Sequence, residues 1–235
     1  MQRFFGKINK EEILLSNEDI THLRVLRIRE KEHIEVIVDD RLFECVVFSL
    51  NPLSIRIEKE LEFDSELPKE VTLFFSLSKG DKNEFVIQKA TELGANKIIL
   101  VSSMRSVMKV KPEDASKKLA RYQKIAHEAA IQSHRMKIPE VYGFYDLKNI
   151  PNDLMPEKSY VAFEKEAGKT TNSFQDLDKY QSIGVFIGPE GGYEDSEIEY
   201  LNSKGISSIS LGKRILRCET SALYALSVLG YLLEK

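Results

Sequence analysis

Only two cysteines occur in the chain, Cys45 and Cys218, and they share no CxxC spacing. That excludes a disulfide framework and a cysteine-rich metal site, so both thiols are read as free. The four histidines, His22, His33, His127 and His134, are scattered and form no HExxH pattern, so no metal is expected. No apolar run is long enough to span a bilayer, which argues against a membrane protein. The opening MQRFFGKINKEE has neither the apolar core nor the small-residue cleavage site of a secretory signal, and the expected location is cytoplasmic. A large charge of either sign is missing too. The net charge of -3 names no polyanionic partner by itself, yet it can hide a basic face. With 42% hydrophobic and 30% charged residues the composition is that of a soluble globular protein.

At 235 residues the chain can bury one large core or two modest ones. Its rhythm changes once. In HIEVIVD (33–39), Ile34, Val36 and Val38 alternate with polar partners, and Asp39-Asp40 offers a turn into LFECVVFSL. Asn51-Pro52 offers another before SIRIEKELEF, so an antiparallel meander is expected. Ser16 caps an intervening helix, SNEDITHLRVLR, with Asp19 near the reciprocal position and Ile20, Leu23 and Leu26 on one side. The expected first domain, residues 1–67, is a small, partly closed β-barrel. The polar segment FDSELPKE, with Pro68, marks the boundary. From 68 to 235 strands alternate with helices. VTLFFSL leads to a helix ending at Gly94, KIILVSS follows, and a long helix runs from Pro112 to near Ser133. Strands at Tyr160–Phe163, Ile183–Ile187 and Ile206–Leu211 continue the pattern, giving an α/β domain with a mostly parallel sheet covered on both faces.

Two stretches stand where such a sheet binds ligands, beyond the carboxyl ends of its strands: GPEGGYE (188–194) and LGKRILRCETSA (211–222). Glycines there let a ligand approach the backbone, while Pro189 restricts the loop. A tight strand-to-helix turn, with Glu194 and Asp195 favouring the next helix start, is the other reading. The segment has neither the GK[ST] of a P-loop nor GxGxxG before its helix, and Glu190 is a poor neighbour for phosphate. A ligand such as S-adenosylmethionine, whose sulfonium is positive, fits better. Arg214 and Arg217 precede a last helix, SALYALSVLGYLLEK, that is apolar on more than one side and suited to a subunit contact. Cys218 reads as a small buried residue, with a nucleophile as the alternative. On the long helix, Arg121, Lys124, Glu128, Gln132 and Arg135 form a polar, mainly basic stripe. With Lys79, Lys82, Arg105, Lys109 and Lys111 it suits a nucleic-acid backbone, a solvated face being the bland reading.

IGPEGGYEDSEIE (187–199) and LGKRILRCETSA are the most specific marks of a resemblance that also takes in HLRVLR (22–27), SKGDKNEFVIQKATELGA (78–95), RSV (105–107) and EAAIQSHRMKIPEV (128–141). The chain resembles the ribosomal RNA small subunit methyltransferase E family, the bacterial 16S ribosomal RNA uridine-N3 methyltransferases of the SPOUT class. Lys31-Glu32, Tyr193, Cys218 and Ser221 depart from the usual family residues. The resemblance implies an N-terminal PUA-like barrel for RNA and a C-terminal α/β domain with a deep trefoil knot. It implies S-adenosylmethionine as cofactor, a homodimer, and 16S RNA or the 30S subunit as partner. The cofactor would lie among the loop after Phe163, the turn Ile187, Gly188, Pro189, Gly191 and Gly192, and Leu211, Gly212, Ile215, Leu216 and Arg217. Uracil N3 must lose a proton, and the anion must be stabilised. Arg217 and Arg135 are the candidates for that charge, and Glu190 for the proton or for binding. The expected RNA contacts are Arg24, Arg27, Lys79, Lys82, Arg105, Arg121, Lys124 and Arg135. A transfer RNA methyltransferase of the same class and a non-catalytic RNA-binding protein are the rivals.

Overall fold

Alternating burial along the first strands wraps them around a single core. The computed structural model describes residues 1–10, 12–166 and 173–235. Strands β1 (Arg3–Asn9), β2 (Glu12–Leu15), β3 (His33–Val38), β4 (Arg41–Leu50) and β5 (Leu53–Leu61) form a closed barrel in the order β1-β2-β5-β4-β3. Ile34, Val36 and Val38 of β3 face Phe43, Cys45 and Val47 of β4 in its interior. Asp39 and Asp40 both adopt positive φ, 48° and 60°, the left-handed geometry of a two-residue hairpin. Helix α1 (Asn17–Val25) begins as expected: Asp19 N donates to Ser16 Oγ at 3.0 Å, and Leu23 enters the barrel core. Closure is fuller than expected. Strand β1 lies parallel to β3, with Phe4 opposite Val36, and this pairing seals the antiparallel remainder.

The second sheet contains β6 (Glu70–Ser76), β7 (Lys97–Ser102), β8 (Glu140–Asp146), β9 (Lys158–Ala162), β10 (Ser182–Ile187) and β11 (Ser207–Ile209). Its order is β11-β9-β10-β6-β7-β8, and its pairings are parallel. Helices α2 (Lys82–Glu92), α3 (Pro112–Gln132), α4 (Asp195–Ser203) and α5 (Cys218–Leu233) complete the order. Successive residues of β6 face opposite layers. Leu73 and Phe75 pack with Val86 and Ile87 of α2, Tyr122 and Ala126 of α3, and Leu226 and Leu229 of α5. Phe74 packs with Ile198 and Leu201 of α4, and its ring stacks on Phe186 at 4.0 Å between centroids. Both faces are therefore covered, as a parallel sheet requires. The chain runs from β6 toward β7 and β8 on one side, and β9, β10 and β11 lie on the other. Strand order thus reverses at the β6/β10 pair, a switch point of the kind that opens a ligand crevice.

The chain divides into two compact units, Met1–Glu66 with Ala130–Lys137, and Leu67–Ala129 with Ile138–Lys235. Residues 130–137, expected in the second domain, belong with the barrel. Met136 packs with Ile37 and Leu42, and His134 O accepts from Arg3 Nη1 at 2.6 Å and Ser65 Oγ at 2.8 Å. Among the described residues no helix is long and apolar enough to cross a membrane.

Candidate active site

Strands β11, β9 and β10 are neighbours and parallel, so the loops leaving their carboxyl ends emerge side by side. They enclose a crevice of about 260 Å³. Its lining includes Phe163, Ile187, Gly188, Pro189, Glu190, Gly191, Gly192, Leu211, Gly212, Ile215 and Leu216, and also Glu164, Tyr193, Ser210, Arg214, Cys218 and Ser221. The two motifs, separated in sequence by residues 195–210, are thus walls of one site. Of the loop after Phe163, residues 167–172 lie outside the described residues.

Backbone forms much of the wall. Gly192 N donates to Pro189 O at 2.9 Å, closing the turn, and Gly192 sits at φ +69°. A Cβ there would lie 3.2 Å from Glu164 Oε1, and one at Gly191 would lie 3.3 Å from Arg105 Cβ. Across the crevice Gly212 sits at φ +107°, its N–H donating to Ser210 Oγ at 3.1 Å. The turn also starts a helix in the ordinary way: Glu194 and Glu197 form a reciprocal capping box at α4.

Charged side chains pin the Gly188–Glu194 loop from two directions. Arg105 Nε donates to Glu194 Oε1 at 2.7 Å and its Nη1 donates to Gly191 O at 2.7 Å. Glu190 Oε1 accepts from Lys79 N at 3.3 Å and Lys82 Nζ at 3.2 Å, while Lys82 also stands 3.5 Å from Glu219. Burial pushes the Glu190 carboxyl up, but hydrogen bonds from its own N–H, Lys82 and the Lys79 N–H outweigh it and leave the group below its ordinary range. A carboxylate held ionised in this way is a weak proton acceptor. Cys218 is 3.3 Å from Ser78 Oγ, and burial pushes its thiol up, which favours the buried reading over a nucleophile.

The expected cations separate into groups. Arg217 caps α5 with extended backbone, its carbonyl accepting from Ser221 N at 2.8 Å; it is exposed, lies beside the crevice lining, and its side chain has no hydrogen bond or ion pair among the described residues. Arg214 lines the crevice itself. Arg24 and Arg27 are exposed on the barrel unit, and Lys79, Arg121 and Lys124 are exposed on the sheet unit, Arg121 pairing with Glu84 at 2.8 Å. Lys82 and Arg105, expected as RNA contacts, are the loop's clamps. Arg135 needs correction: it is not on the exposed stripe. It is 2% exposed within the barrel unit, its Nε donating to both Glu66 oxygens at 3.0 and 3.1 Å, and Glu66 also accepts from Met136 N at 2.9 Å. The helix ends at Gln132, so position 135 no longer follows the helical stripe. Sequence reading missed Glu164 and Ser210, and took Tyr193 only as part of GPEGGYE. The available signal was their place just past β9 or beside the two glycine-bearing motifs. On the barrel, His33, Glu44 and Glu58 gather close enough to suit a metal, though Glu44 is already 2.9 Å from Lys59 Nζ.

A family model described as an RNA methyltransferase domain matches residues 65–230, and one described as an RNA methyltransferase PUA domain matches residues 15–60. Ribosomal RNA small subunit methyltransferase E of Bacillus subtilis is 34% identical over 100% of this chain and 98% of its own length. The protein of that name from Mesomycoplasma hyopneumoniae is 33% identical over 97% of this chain and 98% of its own length. Among solved structures, a ribosomal RNA small subunit methyltransferase E from Neisseria gonorrhoeae bound to S-adenosyl methionine is similar with TM-score 0.85 and 30% identity, covering 99% of this chain and 98% of that one.

Proposed function

The chain belongs to the ribosomal RNA small subunit methyltransferase E family, and from that premise we propose that it methylates N3 of a uridine in 16S ribosomal RNA, with S-adenosylmethionine as donor. One observation carries this reading: the ends of β9, β10 and β11 bring Phe163, the Gly188–Gly192 turn and the Leu211–Leu216 segment to a single crevice. The crevice suits the donor. Its wall at Gly212 is bare backbone, which a flat nucleoside can approach, and it carries side chains of both charges, Glu164 and Arg214, that form no ion pair among the described residues. When bound, S-adenosylmethionine supplies an electrophilic methyl group on its sulfonium. The protein's part is to hold the donor on these three loops and to stabilise the uracil anion once N3 has lost its proton. Arg217, uncommitted beside the lining, is assigned that charge. Glu190, already bonded to Lys82, serves the loop rather than the proton.

The barrel and the exposed cations of α3 hold the RNA, whose target base must be unpaired or extruded for N3 to be reached. The family reading carries a deep trefoil knot in the second unit and a cytoplasmic homodimer. An apolar groove of about 860 Å³ between α2 and α5 supports the dimer: Phe85, Tyr224 and Tyr231 are 42%, 42% and 62% exposed along it. Transfer of tritium from labelled donor to 30S subunits, naked 16S RNA and bulk transfer RNA tests the proposal. Label is expected in ribosomal RNA. Label in transfer RNA alone favours the related enzyme class, and none in any acceptor favours a non-catalytic RNA-binding protein.

A further inference from the structure

Two carboxylates line the crevice, and only one is engaged. Glu190 is bonded to Lys82 and the Lys79 N–H. Just outside, Glu194 is bonded to Arg105, and Asp195 accepts from Lys165 Nζ at 2.5 and 2.6 Å. Glu164, two residues past the end of β9, accepts no hydrogen bond and joins no ion pair among the described residues. Its carboxylate faces Gly192, where any side chain would press on it at 3.2 Å. Arg105 feels its charge, but donates instead to Glu194 and Gly191 O. The exposed Glu164 carboxylate therefore forms no ion pair among the described residues, and the exposed Arg214 is a second uncommitted charge in the lining.

We infer that Glu164 recognises the positive charge of the methyl donor and so makes the site prefer the sulfonium compound to the neutral thioether left after transfer. The inference rests on the methyl-donor reading above and adds a discriminating residue to it. A carboxylate without an internal partner gains most from a cationic ligand, whereas Glu190, already neighboured by Lys82, gains less. Transfer removes the positive charge from sulfur, so the same contact weakens at the step after which product must leave.

Calorimetric titration of wild type, Glu164→Gln and Glu164→Asp with S-adenosylmethionine and S-adenosylhomocysteine, each at low and high salt, tests it. Wild type is expected to prefer the sulfonium compound, with the preference shrinking as salt screens the contact. Glu164→Gln is expected to bind S-adenosylmethionine roughly fivefold to tenfold more weakly, the size of a partly exposed charge contact, with little change for S-adenosylhomocysteine. Glu164→Asp should recover part of the ratio. An unmoved ratio in Glu164→Gln, whether both affinities hold or both fall together, overturns this inference alone. A wild-type chain that binds neither compound overturns the methyl-donor reading as well.

Discussion

At Gly192 two demands meet on one residue. Its φ of +69° is left-handed, and its missing side chain leaves room for Glu164 at the crevice wall. Gly192→Val puts a β-branched residue into that conformation at a cost of about 1–2 kcal/mol and moves the turn against Glu164. The expected result is a folded protein with weakened S-adenosylmethionine binding, checked by calorimetry alongside a thermal melt. Unchanged affinity in a folded variant rules out backbone contact at this turn. Arg217 makes the second residue-scale prediction. Arg217→Ala should lower single-turnover methyl transfer by roughly a hundredfold to a thousandfold, the effect of losing one charge-stabilising donor, with cofactor affinity much less affected. Arg217→Lys keeps charge without the planar fork and should recover only part of the rate. A normal Arg217→Ala rate at saturating donor and RNA removes the catalytic role. Gly191, Gly192 and Pro189 were legible in sequence because glycine and proline constrain backbone locally. Glu164 was not, since a glutamate after a strand is common and its lack of a partner is a property of the folded chain.

Among the elements, α3 shows where helical periodicity informs and where it stops. Tyr122, Ala126 and Ala129 are buried, and Arg121, Lys124, Glu128 and Gln132 are exposed, as the spacing implies. Changing Arg121 and Lys124 to Glu should lower RNA affinity and flatten its salt dependence while sparing cofactor binding. RNA titrations at two salt concentrations check this, and wild-type behaviour would make the stripe a solvated face only. Past Gln132 the same extrapolation misplaced Arg135. Its side chain and that of Glu66 are 3% and 10% exposed, so the pair is buried. Arg135→Met leaves the Glu66 charge without its guanidinium and should reduce stability by about 3–5 kcal/mol in denaturant unfolding. An unchanged midpoint would contradict a supporting role for the pair. Strand β8 also escaped the sequence reading. It is a half-buried edge strand, EVYGFYD, without the continuous apolar run that revealed β6, β7 and β10.

For the molecule as a whole, the change from two-residue alternation to strand-helix alternation located both cores, because each period dictates which side chains can be buried together. The parallel pairing of β1 with β3 and the return of residues 130–137 to the barrel were not legible, since neither leaves a local pattern. The central claim is that the crevice serves methyl transfer to one nitrogen of one base. Its most direct test is to incubate unmethylated 30S subunits with the protein and S-adenosylmethionine, digest the RNA to nucleosides and identify the product by chromatography and mass spectrometry. A single new species, N3-methyluridine, is expected, approaching one per subunit and forming far more slowly with Arg217→Ala. A methyl group on carbon 5, on the ribose or on another base would contradict it.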